Sequence, residues 1–201
     1  MKTTIKTQIK TVCTVILLAT SFISTSTFAK EKTPTLSVSN ISSVKKISVK
    51  GNVEVILIQR ATEGITYTDD NEGTVKVTQE GPTLRITNNG QELSKVFVYI
   101  NDIYRIEASG NAMIRTEGQL TTKFLQIYLK ENARADIFTA TKGLYTTIND
   151  NASLKLSGST EDHTLAMGKT QKIIIYNFTA AKTRIISTDM LASERENVVL
   201  Q

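Results

Sequence analysis

The chain of 201 residues holds one histidine, His163, in the run Glu161-Asp162-His163. An imidazole beside two carboxylates could hold a metal ion weakly, because both group types ligate zinc. A lone histidine in a polar run next to Gly158 reads first as part of a solvated loop. Paired carboxylates are the second chemistry to seek. Glycoside hydrolysis needs two of them ~5–10 Å apart, and Asp69 with Asp70, or Asp136 with Asp150, are the candidate pairs. The first pair lies in Asp69-Asp70-Asn71-Glu72-Gly73, acidic enough to attract Ca²⁺ yet unlike a twelve-residue EF-hand loop. Turn formation and solubility account for both pairs without catalysis. The sequence contains no Gly-rich phosphate loop, no nucleophile elbow and no calcium-binding nonapeptide. No catalytic residue, metal ligand or cofactor is therefore assigned. Tyr99, Tyr104, Tyr128, Tyr145 and Tyr176 fall in or beside alternating segments. An exposed aromatic stripe could stack on sugars or protein partners, although ordinary packing is the favoured account because tyrosine is intermediate in burial.

The elements that must position these groups are strands. Val53-Glu54-Val55, Val75-Lys76-Val77, Leu84-Arg85-Ile86, Ile127-Tyr128-Leu129 and Leu154-Lys155-Leu156 alternate with period two. That period sends apolar side chains to one face and polar ones to the other, as in half-buried strands. Val96–Ile100 and Ile173–Tyr176 are continuously apolar and read as strands covered on both faces. Turn signals such as Gly51-Asn52, Asn88-Asn89-Gly90 and Gly158 separate the runs, because Gly and Asn accept positive φ. The expectation is an all-β fold.

Asn-Ala recurs at Asn111, Asn132 and Asn151, at intervals of 21 and 19 residues, each time before an alternating segment. A repeat of this length is a solenoid signal. The fold expected is a parallel β-helix-like solenoid with coils of about 20 residues, with a β-sandwich as the alternative. Gly110, Asn111, Asn132, Asn151 and Gly158 then mark structural turns, and the asparagine amides would stack from coil to coil.

The N-terminus reads as processing information. Lys2, Lys6 and Lys10 precede the apolar run 12–23, and a small polar segment ends at Ala29. This is the layout of a cleavable secretory signal, with cleavage after Ala29; the apolar run is shorter than the ~20 residues a spanning helix needs. Cleavage would remove Cys13, the only cysteine, and leave 172 residues without a thiol, disulfide or transmembrane anchor. It would also lower the net charge from +5 to +2, too little to suggest a nucleic-acid partner. The expected organisation is a signal peptide over 1–29, a loose lead-in over 30–43, a solenoid domain over 44–188 and a tail over 189–201.

Two segments carry a family resemblance. One runs from Val44 to Gln59 and contains Ile47-x-Val49-x-Gly51-x-x-x-Val55; the other joins Val96–Ile100 to Ile103–Ala112. With the N-terminal signal, the chain over roughly 40–180 resembles the exported bacterial auto-transporter adhesin head domain, or GIN domain. The resemblance implies a right-handed parallel β-helix-like fold in the cell envelope and brings no catalytic residues. Ser109-Gly110 and Ser157-Gly158-Ser159 keep the family's corners, whereas Glu131-Asn132 and Asp150-Asn151 depart from them. The functional expectation is non-catalytic binding or adhesion to a glycan or envelope protein. The alternatives are an envelope polysaccharide-acting enzyme, or an assembly protein that self-associates through its end coils.

Overall fold

The computed structural model describes residues 41–67, 75–168 and 171–188, and every regular element there is a strand. In chain order these are β1 (Lys46–Gly51), β2 (Val53–Gln59), β3 (Gly64–Tyr67), β4 (Val75–Glu80), β5 (Thr83–Asn88) and β6 (Ser94–Ile100). They continue with β7 (Arg105–Ser109), β8 (Met113–Glu117), β9 (Leu120–Leu129), β10 (Arg134–Ile148), β11 (Ser153–Met167) and β12 (Lys172–Ser187). All twelve join one sheet that curls into an open half-barrel. The signal segment with Ala29, the lead-in before residue 41, the acidic turn 69–73 and the tail 189–201 lie outside the described residues.

The sheet consists of two ladders that meet in the long strands. One runs β4-β5-β1-β7-β9 and the other β3-β6-β2-β8. β10 joins them: Arg134–Asp136 pair with β8, and Thr139–Ile148 pair with β9. β11 and β12 then stack on β10 in turn. The pairing is parallel except for β3 on β6 and β4 on β5. Ile106, Ile127, Thr146, Leu165 and Ile185 stand opposite one another on successive strands, so each step advances the chain by 21, 19, 19 and 20 residues. The inward side chains of each rung thus meet those of the next, and Val49, Ile106, Ile127, Ile148 and Leu156 are fully or almost fully buried.

The corners explain the interval. Gly110-Asn111, Glu131-Asn132 and Asp150-Asn151 are equivalent two-residue turns, each followed by a buried alanine at 112, 133 or 152. Positive φ falls on the residue before each asparagine: 70° at Gly110, 60° at Glu131 and 55° at Asp150. A Cβ in this region costs ~1–2 kcal/mol, and the two acidic side chains offset it. The Glu131 carboxylate accepts from the Gly110 N–H at 2.6 Å, and the Asp150 carboxylate accepts from the Glu131 N–H at 2.8 Å. The asparagine amides run alongside: Asn132 donates to Asn111 at 3.3 Å and Asn151 to Asn132 at 3.5 Å. The rung stacked on Gly110 turns at Gly51-Asn52, and the next one out at Asn88, whose buried amide donates to the Asn52 and Glu92 carbonyls at 2.8 and 3.0 Å. Gly158 makes a different corner, inside β11, with φ at 101°. A Cβ there would collide with the Thr139 carbonyl oxygen of the strand beside it.

Three expectations need correction. Ile41 is buried and the Ser42 carbonyl accepts from Gln79 at 2.7 Å, so the described end of the lead-in is pinned to the domain. Ile173–Tyr176 is not covered on both faces: it belongs to β12, which among the described residues pairs only with β11 and leaves Ile174, Ile175 and Tyr176 exposed. β6 is central, yet Phe97 and Tyr99 stay half-exposed on its outer side. The two ladders end, away from β12, in the short antiparallel strands β3 and β4.

Two contrasts test the corners by urea unfolding. Gly158→Ala should lose at least ~2 kcal/mol through collision and strain, whereas Gly81→Ala, at positive φ in open space, should lose ~1 kcal/mol. Glu131→Ala should lose ~1 kcal/mol because the strain stays and the acceptor goes. Glu131→Gly removes both and should be nearly neutral; equal costs for the two would contradict the assignment.

Candidate functional site

Alternation places a regular array of side chains on the outer face of β1, β7, β9 and β10. β1 presents Lys46, Ser48 and Lys50, and β7 presents Arg105, Glu107 and Ser109 opposite them. Gln126 and Tyr128 on β9, with Lys130 just beyond its end, stand against β7. Tyr145 and Thr147 on β10 stand against Gln126 and Tyr128. A groove of about 370 Å³ opens across this array, with Ser48, Lys50, Glu107, Ser109, Tyr128 and Lys130 among its lining residues. Its size falls within the range of small-molecule sites, ~300–1,000 Å³.

The groove is held by its own contacts. The Tyr128 and Tyr145 rings lie 5.8 Å apart at 47°. The Arg105 guanidinium sits 5.0 Å from the Tyr128 centroid and donates to Gln126 at 2.7 Å. Glu107 accepts from Lys46 at 2.7 Å and lies 3.5 Å from Arg105. Arg105 on β7 and Tyr145 on β10 thus flank Tyr128 from the two neighbouring strands, and Tyr128 is half-buried between them. Among the described residues, Glu107 is the one carboxylate in the lining, where a two-carboxylate hydrolysis would need a pair. The site was hard to foresee, because its residues come from four segments and meet only through the register.

The other tyrosines do not extend this pair into one stripe. Tyr104 lies beside Arg105 and is 44% exposed, Tyr99 stacks under Arg60 at 3.8 Å on β6, and Tyr176 stands on β12. Asp136 is ion-paired with Lys155 at 2.9 Å on the outer face, and this pairing raises the Lys155 pKa. Asp150 is committed to the corner, in a different part of β10's rung. A second depression of about 250 Å³ runs past Glu54, Arg115 and Ile174, where Glu54 already holds Arg115 and Lys95 at 3.0 and 3.3 Å.

His163 overturns the solvated-loop expectation. It lies within β11, 4% exposed, opposite Leu144, because the alternation resumes inward after the exposed Glu161 and Asp162. Its Nε2 shares a hydrogen bond of 3.0 Å with the Thr146 hydroxyl, and its ring meets the Phe178 ring edge-on at 5.5 Å. Glu161 and Asp162 face outward, and among the described residues no group of His, Cys, Asp and Glu converges to hold a metal ion.

Burial pushes the His163 pKa below its ordinary 6.5. Above that value neither state binds the proton. As pH falls through it, the unfolded chain is protonated first, so the folded chain loses stability toward acid. The urea midpoint should therefore fall less between pH 7.5 and pH 5 in His163→Gln than in the wild type. An identical fall in both would contradict the buried, neutral imidazole.

The family model described as "Putative auto-transporter adhesin, head GIN domain" matches residues 44–188. Among solved structures, a putative adhesin from Bacteroides fragilis aligns with a TM-score of 0.66 at 16% identity, covering 78% of this chain and 77% of that one. A putative adhesin from Parabacteroides merdae aligns at 0.54 with 15% identity, covering 75% of each chain. A putative lipid binding protein from Parabacteroides distasonis aligns at 0.58 with 11% identity, covering 78% of this chain and 79% of that one. No curated protein matches the chain. At these identities the structures establish a shared fold, and the match over 44–188 establishes the family: this chain belongs to the auto-transporter adhesin head GIN-domain family.

Proposed function

We propose that this is an exported, non-catalytic binding domain of the cell envelope, and that the groove around Tyr128 receives a saccharide. The parallel rungs are read as coils of a β-solenoid, a stiff support on which outer side chains hold fixed spacings. The observation that carries the binding role is the half-buried Tyr128 in the groove lining, fixed by Arg105 and Tyr145 beside polar Ser48, Ser109 and Asn149. An aromatic face stacks on the C–H face of a sugar while neighbouring polar groups meet its hydroxyls. Export and an adhesive role also agree with the family description.

The test is a glycan array with the mature chain, followed by titration of whatever binds. Tyr128→Ala should weaken binding at least ~10-fold, about 1.4 kcal/mol, and Tyr128→Phe should keep most of it. Equal affinities for wild type and Tyr128→Ala would place binding elsewhere.

A second reading rests on a separate observation. Among the described residues, β12 has one edge without a partner strand and exposes Ile174, Ile175, Tyr176 and Ile185, the last at 70%. Unblunted edges with apolar side chains favour strand-to-strand association, so the chain would pair with a second copy through this end. Light scattering on the mature protein should show a dimer that Ile175→Lys dissociates; a monomer at every concentration would remove this reading.

A further inference from the structure

Resting on the saccharide reading of the Tyr128 groove, we infer that its ligand is anionic: a sugar carrying a carboxylate, such as a uronate. The charges around the groove are unequal. Lys50 and Lys130 line the groove and Lys46 and Arg105 stand beside it, against Glu107 in the lining and Glu131, whose carboxylate is taken up by the Gly110 N–H next to Ser109. Glu107 is occupied, because Lys46 and Arg105 both hold it. Among the described residues, neither Lys50 nor Lys130 has an ion-pair partner, and both are exposed. They are the groove's available cations.

Their placement suits a saccharide acid. Lys50 stands opposite Ser109 on β7, and the Lys130 N–H donates to the Ala108 carbonyl of the same strand. The two lysines therefore flank Ser109 from either side, about two strand spacings or ~10 Å apart. Lys130 follows Tyr128 by two residues, on the same face and ~7 Å along the strand. A sugar ring stacked on Tyr128 would direct a substituent toward Lys130 and Ser109, with Lys50 beyond. Two ammonium groups on flexible stems accept a carboxylate in many orientations, while the ring contact supplies the geometry. The other depression is lined by Arg115, Arg134 and Lys155 against Glu54 and Asp136; among the described residues it holds no tyrosine on which a sugar could stack, and its two carboxylates already hold Arg115 and Lys155.

The experiment titrates the mature chain with trimers of galacturonate, glucuronate and mannuronate, each beside its methyl ester. The ester keeps ring and hydroxyls and removes the charge. At low salt at least one acid should bind ~10-fold or more tighter than its ester, and raising NaCl to ~0.5 M should close most of that gap. Lys50→Gln and Lys130→Gln should each lower acid affinity about two- to fivefold and leave the ester unchanged. Esters that bind as tightly as the acids, with binding still lost in Tyr128→Ala, would overturn the anionic ligand and leave the saccharide groove standing. Failure of acids and esters alike would overturn both. Acid binding unaffected by Lys50→Gln and Lys130→Gln, singly and combined, would overturn the roles of Lys50 and Lys130.

Discussion

One conformational constraint underlies the molecule: at a single column of corners the chain must turn in the left-handed region and stack on the corner before it. Gly51, Gly110, Glu131 and Asp150 carry φ values of 90°, 70°, 60° and 55° along that column. The corners are close-packed, since a Cβ on Gly110 would lie 2.9 Å from the Gly51 nitrogen. Two corners use acidic residues in place of glycine, at a conformational cost, and both carboxylates bond the turn on the preceding rung. The strain of one corner is thus tied to the register between two. Because inward and outward side chains alternate, a slip of one residue would exchange the core for the outer face. The corner column therefore protects the buried ladders and the outer array together.

The groove is a consequence of that register. Ser48, Glu107 and Tyr128 are far apart in sequence and become neighbours only because β1, β7 and β9 pair in fixed steps. Glu107, Lys46 and Arg105 form a small ion network that positions the aromatic pair while leaving Lys50 and Lys130 uncommitted among the described residues. Such exposed charges contribute little to stability, so their arrangement is better understood through what they can hold. A stack of parallel strands brings residues about 20 apart into rows, which lets a surface of fixed spacing be built without a deep cavity.

Much of the fold was legible in the sequence, because period-two alternation and the interval between Asn111, Asn132 and Asn151 both follow from backbone geometry. The all-β class and the equivalence of those three turns needed nothing more. The residue bearing the turn was harder to read: positive φ sits on Asp150 and, less expectedly for its type, on Glu131, rather than on the asparagines that recur. His163 was misread because its polar neighbours suggested solvent, while the strand continues past Glu161 and Asp162 and returns the imidazole to the core. β12 was misread for the converse reason. Its run of isoleucines resembles a covered strand, but coverage depends on what pairs with its far edge, and composition does not record that. The groove residues were visible singly, as Tyr128 and Tyr145 were, but their grouping required the register.

The central claim is that the corners at Asn111 and Asn132 lie directly one above the other. Replacing Cys13 with serine gives a thiol-free background in which Asn111→Cys and Asn132→Cys can be introduced together. Corners in this register place the two Cα atoms within the ~4.4–6.8 Å that a disulfide spans. The account predicts that oxidation closes an intramolecular bond in a folded monomer and raises its stability by up to ~3 kcal/mol. A pair that stays reduced, or that closes only when Asn132 is left intact and Ala133 is replaced by cysteine, would contradict it.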